Sequence, residues 1–309
     1  MDDPISSAID ARQTPQWGQY LKSIGWIPER VDNTLVLIRR MAPLPWSAIK
    51  VLHPIGPIPI KKIDAIAKKY RAILTVIEPH TANYNPQDYK RAGYGYSFLR
   101  YSHTATIKFN IKQSEEKLFS TFSENARRNI RKAQNNNLHV EAVYLKNEKN
   151  NDQFDRFYKL LVNLHKLKDF YIPTYEEYIK KMTAFKKTSI LLFAYEKDST
   201  EPIAAVWLAH YENVVSYFQT GITQKGYDLL ANYMLVWEGL KLSKSLNLDV
   251  FDFETIFDPR YPKDNEKWKG YTTFKKRFHG TVVEYPHSWI KLYNPFLKIS
   301  YLALSLFMK

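Results

Sequence analysis

Three β-prone runs followed by one long apolar helix limit the fold of this chain more than any other feature. Ser189 to Tyr195, Ile203 to Tyr211 and Asn213 to Thr220 read as consecutive strands, and Glu212-Asn213 at the last junction predicts a hairpin. A helix is predicted from about Asp228 to Leu246. Leu248 to Glu254 then returns to a strand, Gly270 to Phe278 reads as a short helix, and Thr281 to Tyr285 reads as a strand. The first half alternates in the same style. A short helix ends at Gly25, strands follow at Thr34–Arg39 and Ile49–His53, and a helix runs from Lys61 to Tyr70. Strands at Ala72–Glu78 and Thr104–Asn110 complete it. Such alternation defines an α/β chain of mixed sheets with helices packed on them. No sequence repeat accompanies it, so any duplication is structural.

Composition narrows the chemistry. The 309 residues suffice for two ordinary domains, and 45% hydrophobic residues exclude global disorder. With no cysteine, disulfide frameworks, thiolate metal sites and a cysteine nucleophile are excluded, which fits a reducing compartment. The eight histidines include no His-x-x-x-His pair on a helix, so no metal site is expected. The start of the chain carries no apolar run of signal-peptide type, and no stretch reaches the roughly 20 apolar residues of a membrane-spanning helix. A net charge of +14 points to anionic partners: nucleic acid, a nucleotide- or pyrophosphate-linked substrate, or an anionic membrane surface.

The densest basic tract lies in a helical pattern capped by Ser114, with apolar residues at Leu118, Phe119, Phe122, Ala126, Ile130 and Ala133. Arg127, Arg128, Arg131 and Lys132 crowd the C-terminal half, where a helix dipole welcomes cations. Guanidinium forks also match phosphate oxygens, so Arg127, Arg128 and Arg131 are candidate phosphate ligands. Asp252 and Glu254 alternate with Phe251 and Phe253, which puts both carboxylates on one side of a strand. They can position or deprotonate an attacking amine, or form a solvated strand face.

Several motifs in order resemble the Fem family of peptidoglycan aminoacyltransferases. They are Gln13 to Trp26 with its Trp17-Gly18 and Gly25-Trp26 pairs, Val76-Ile-Glu-Pro79, the basic segment Arg128-Asn-Ile-Arg-Lys-Ala133, Ala231-Asn-Tyr-Met-Leu-Val-Trp-Glu238, Phe251-Asp-Phe-Glu254, and Gly270-Tyr-Thr-Thr-Phe-Lys-Lys-Arg-Phe-His-Gly280. The resemblance spans nearly the whole chain. It implies two tandem GNAT-like acyltransferase domains, expected at 1–145 and 146–288, with an apolar helix over 289–309 and no long coiled-coil arm. It also implies transfer of an amino acid from aminoacyl-tRNA to an amine of a nucleotide- or lipid-linked peptidoglycan precursor, in cell-wall biogenesis. Lys275 is then implicated at the ester carbonyl and Phe274 in packing beside it. Tyr233 and Lys22 fall in segments that line the precursor site in relatives, and Lys166 or Lys168 stands near a family arginine. The chain departs from the family at Glu254-Thr255, where the family has Gly-Gly, and at His279.

Such an enzyme needs no cofactor of its own and works in the cytoplasm or at the inner membrane face, where residues 289–309 offer a peripheral contact. Two other classes stay open. One is an acetyl-CoA-dependent N-acyltransferase, although the turn Ile222 to Ala231 has Gly226 without the second glycine of a pyrophosphate loop. The other is a non-catalytic RNA-binding protein with interleaved basic and aromatic residues.

Overall fold

The computed structural model describes residues 3–147 and 152–307, without the side chains of 264–265 and 302–307. It divides into two compact units. The first is Ile9–Thr104 together with the chain from Glu284 onward, and the second is Ala105–Val283 with the segment ending at Ala8. The boundary expected at 145 is therefore displaced to 104.

In the first unit, Thr14 accepts from the Trp17 N–H and Pro15 opens helix α1 (Pro15–Ser23). Strands β1 (Ile27–Val31), β2 (Thr34–Arg40) and β3 (Ser47–Leu52) follow as antiparallel neighbours. Helix α2 (Ile60–Lys69) crosses over to β4 (Ala72–Glu78), which runs parallel to β3. Helix α3 (Pro86–Arg91) and the short β5 (Gly95–Tyr96) complete the segment. Val36, Ile38, Ile49 and Val51 pack with Ile63 and Ile66 of α2. Leu35, Leu37 and Leu52 pack on the other face with Leu21 of α1. Both faces of β2 are covered, so Leu35–Ile38 reads as a continuous apolar run rather than an alternating one.

The second unit starts with β6 (Ala105–Asn110), α4 (Glu115–Thr121), α5 (Glu124–Asn135) and β7 (His139–Tyr144). These were expected with the first half of the chain. They belong instead with the second, because β6 pairs with a strand after residue 250 and β7 pairs with one after 189. Helices α6 (Asp152–Lys168) and α7 (Tyr175–Phe185) lead to β8 (Ser189–Tyr195), β9 (Pro202–Tyr211) and β10 (Val214–Ile222). The β9–β10 hairpin turns at Glu212, whose φ is +49°. The helix expected from about Asp228 starts at Ala231 as α9 (Ala231–Ser245); a separate short helix, α8 (Gln224–Asp228), precedes it, with Leu230 at φ +62° between them. Then follow β11 (Val250–Thr255), α10 (Pro262–Asn265), α11 (Lys269–Lys276) and β12 (Thr281–Glu284). The sheet order is β12-β6-β11-β10-β9-β8-β7, with β10 and β11 its one parallel pair among the described registers.

The chain then returns to the first unit. Residues 289–292, expected to begin the terminal helix, form β13 (Trp289–Leu292), which lies between β4 and β5. Trp289 decides this. It is fully buried, stacks on Tyr89 at 5.0 Å and Tyr96 at 4.5 Å, and donates Nε1–H to the Tyr84 hydroxyl at 3.1 Å. Only Pro295–Phe307 is helical, as α12. No coiled-coil arm occurs among the described residues.

Gly221 on β10 lies where helix α6 packs closely on the sheet. A Cβ there would lie 2.6 Å from the Leu160 and Leu161 backbone of α6. Gly221→Ala is expected to lower stability by roughly 1–3 kcal/mol, as overpacking does. Urea denaturation of the full chain checks this.

Candidate active site

The site expected around Lys275 is built by β6, β11 and α11. Phe251 and Phe253 both enter the main core, which directs Asp252 to the opposite face, as the alternation predicts. The alternation ends at Glu254, which adopts φ +61°, and the β11–β6 register shifts between Asp252 and Thr255. This bulge stands where the family pattern has Gly-Gly. A left-handed residue other than glycine costs about 1–2 kcal/mol, so the surroundings must hold it.

Asp252 does much of the holding. Its Oδ1 accepts from the Glu254 N–H at 2.7 Å and from the Thr106 hydroxyl. The same hydroxyl lies 2.9 Å from the Glu254 carbonyl. Asp252 Oδ2 faces the fully buried Lys108 ammonium at 3.7 Å. Lys108 and Thr106 were missed in the sequence. The available signal was Thr106 and Lys108 alternating with Ala105, Ile107 and Phe109 on a strand.

The bulge presents two carbonyls to Lys275. Its Nζ donates to Phe253 O at 2.7 Å and Thr255 O at 2.8 Å, with the Tyr271 ring 4.8 Å away. An ammonium has three donors, so one is left for a ligand oxygen. Burial lowers the Lys275 ammonium to about 8, against the opposing pull of Glu254 and Asp252.

Tyr233 and Phe274 lie in an adjoining aromatic cluster. Phe274 packs edge-on to Tyr233 at 5.0 Å and Phe278 at 5.3 Å. The Tyr233 hydroxyl accepts from Arg277 and donates to Asn125 Oδ1 at 3.4 Å, and Ser123 N–H donates to Arg277 O at 2.9 Å. Start of α5, start of α9 and end of α11 are thereby tied. Arg277 and Asn125 had not been singled out from the sequence.

The basic helix changes character. Ser123 caps α5 by accepting from the Ala126 N–H at 3.1 Å, so the expected single helix is two. Arg127 therefore sits in an N-terminal turn, where the dipole disfavours a cation. It is held by the carbonyls ending α4, Ser120 O at 2.9 Å and Phe122 O at 2.5 Å. Arg131 lies over the Phe119 ring at 5.5 Å. Arg128 is exposed and makes no hydrogen bond or ion pair among the described residues. Lys168, exposed at the end of α6, lies 5.0 Å from the Tyr227 ring. Lys22 is exposed on α1 in the first unit.

Strands β10 and β11 pair only over Val214–Ser216 and Val250–Asp252. At the turn after β10, Gly226 gives its N–H to Thr223 Oγ1 at 3.1 Å. A Cβ on Gly226 would lie 2.6 Å from Ile203 O, so this glycine serves packing.

This is a GNAT-like acyltransferase fold, and residues 124–270 match the acetyltransferase (GNAT) domain family. The chain as a whole shares its fold with FemX, at a TM-score of 0.79 and 14% identity over 93% of each chain. It is also similar to the C-terminal domain of a protein assigned as a lysylphosphatidylglycerol synthetase from Agrobacterium fabrum. There the TM-score is 0.62 at 11% identity, over 97% of this chain and 93% of that one. L-PGS from Bacillus licheniformis gives a TM-score of 0.60 at 10% identity, with the same coverage of 97% and 93%. No curated protein matches the chain by sequence.

Two outcomes follow. A lysine whose folded value is lowered to about 8 loses its proton between that pH and the ordinary value of 10.5, so folding stability contributed by Lys275 rises with pH across this window. Isotope-labelled lysine NMR is expected to show a resonance titrating near 8, absent from Lys275→Ala. Lys108→Ala strands the buried Asp252 charge and is expected to cost about 3–5 kcal/mol in urea denaturation.

Proposed function

We propose that this chain is an aminoacyltransferase that moves an amino acid from aminoacyl-tRNA to an amine on the stem peptide of a peptidoglycan precursor. The observation that carries the reading is the fold shared with FemX over 93% of both chains, together with a desolvated lysine on α11. The ester of an aminoacyl-tRNA is already activated, so the enzyme must align it with the amine and stabilise the oxyanion. The amine attacks the ester carbonyl, a C–N bond forms, and the tetrahedral intermediate expels the tRNA hydroxyl as the C–O bond breaks. Lys275, held by two carbonyls, directs its remaining donor at the oxyanion. Phe274 and Tyr233 fix α11 against α9. Asp252 holds the bulge through Thr106, Lys108 and the Glu254 amide, so proton uptake from the amine falls to Glu254. That proton leaves with the tRNA hydroxyl.

Arg127 is engaged by the carbonyls ending α4 and shapes the basic helix, whereas Arg131 is exposed over the Phe119 ring and is kept as a phosphate ligand. Arg128 and Lys132 on α5, with Lys168 and Lys22, are further exposed cations assigned to the anionic substrates. The packing role of Gly226 favours a tRNA ester over a CoA thioester.

A second acceptor, a lipid headgroup, is favoured by the fold shared with lysylphosphatidylglycerol synthetases and by α12. Phe296 and Ile299 are 80% and 69% exposed there, flanking Lys298, while Tyr301 stacks on Phe98 at 4.4 Å. No described helix is long and apolar enough to cross a membrane. The arrangement suits peripheral attachment at the inner membrane face.

Purified protein with charged tRNA and precursor is expected to form the aminoacylated stem peptide, and Lys275→Ala to lower turnover roughly 100-fold with an unchanged fold. Transfer from acetyl-CoA with none from charged tRNA overturns the reading. Phe296→Ser with Ile299→Ser is expected to reduce co-sedimentation with anionic vesicles; equal binding by both proteins removes α12 as an anchor.

A further inference from the structure

The first unit buries a second set of ionisable groups that the proposed transfer does not use. Asp10, His53 and His103 are 1%, 1% and 4% exposed, and they arrive from the start of the 3-10 turn Ala11–Gln13 that precedes α1, the end of β3 and the segment before β6. Asp10 Oδ2 lies 2.9 Å from His53 Nδ1 and 3.7 Å from His103 Nε2. One donor atom from each of the three residues falls within 4.8 Å of the other two. Donors bound to zinc at about 2.0–2.2 Å stand roughly 3.3 Å apart in a tetrahedron, and the two measured separations bracket that value.

The surroundings resemble the support of a ligand set. The two carboxylate oxygens of Asp10 divide their roles. Oδ1 takes the Arg12 N–H at 2.8 Å and its guanidinium at 3.3 Å, and Oδ2 is left to the imidazoles and the Tyr285 hydroxyl at 3.3 Å. Each imidazole has a partner for its other nitrogen. His53 Nε2 faces Glu78 Oε2 at 3.9 Å, and His103 Nδ1 meets Ser102 Oγ at 3.4 Å. Metal-bound histidines use such partners to fix ring orientation. The Tyr285 ring stacks on His53 at 3.8 Å and fixes its plane. His53 is held in place at φ +48°, with its N–H on Glu78 O at 2.7 Å. A β-strand end in this conformation costs energy that the cluster must return. The Arg12 guanidinium 3.3 Å from Oδ1 favours the ionised carboxylate. The carboxylate is thus available as an anionic ligand.

We propose that Asp10, His53 and His103 form a structural site for a divalent transition ion of the zinc class. The donor set of two imidazoles and one carboxylate suits such an ion, and not magnesium or calcium, which take oxygen ligands. Binding displaces the proton shared by His53 Nδ1 and Asp10, and the ion joins three segments that are distant in the chain. Its burial implies uptake as the unit folds.

The test uses untagged full-length protein from zinc-supplemented cells. Near-stoichiometric zinc by elemental analysis is expected, with a lower melting temperature after chelation and recovery on adding zinc. His103→Gln is expected to weaken zinc retention at least roughly 10-fold while far-UV circular dichroism is unchanged. No zinc in the wild-type protein and no melting shift on its addition overturns the proposal, as does equal zinc in wild type, His53→Gln and His103→Gln. Should the variants fail to fold, zinc-edge X-ray absorption of the wild-type protein decides. A shell with imidazole nitrogens supports the site, and a shell without imidazole overturns it.

Discussion

The buried Lys108–Asp252 pair, with Thr106 beside it, is the constraint on which the second unit's site rests. β6 must lie antiparallel to β11 for Thr106 and Lys108 to reach Asp252. Asp252 in turn takes the Glu254 amide and keeps the strand bulged there. The bulge turns the Phe253 and Thr255 carbonyls to the Lys275 ammonium. Such a pair adds little net stability compared with apolar packing, yet removing one partner is costly. Here it fixes register, and register fixes where Lys275 stands.

Cation placement shows how a basic tract divides between architecture and ligand binding. Arg127 closes the carbonyl end of α4, and Arg277 ties α11 to Tyr233. These guanidinium groups supply hydrogen bonds that a broken helix and a helix junction otherwise lack. Charge available to an anionic substrate is therefore carried by fewer residues than the sequence count suggests. Arg128 on α5 is the clearest of them.

In the first unit, the same economy of polar groups works through histidine. His53, His103, Asp10 and Glu78 gather where β3, β4 and two loop segments end. Burial raises the Glu78 carboxyl. Aromatic rings of Tyr285 and His80 close around them. No spacing rule identifies this cluster, since Asp10, His53, Glu78 and His103 are separated by 43, 25 and 25 residues along the chain.

Local signals in the sequence were sufficient for most elements. Continuous β-prone runs gave β2, β4, β8 and β9, and Thr174 and Ser114 marked helix starts through the capping bonds they make. Phe251 and Phe253 announced the face of β11, and the Phe274–Lys275 motif pointed to α11. Periodicity carried α5 across Ser123, because apolar spacing does not report a cap in the middle of a stripe. It also read Trp289 as helical, since only its three tyrosine neighbours make it a strand residue. The sequence by itself determined the order of elements and the apolar faces, which depend on neighbours within a turn or two, and its resemblance to a family pointed to the candidate lysine. Tertiary structure alone decided the unit boundary, the partners of Asp252 and the Asp10–His53–His103 cluster. Strand pairing and buried charge join residues far apart in the chain, and their energies depend on burial that no local window contains.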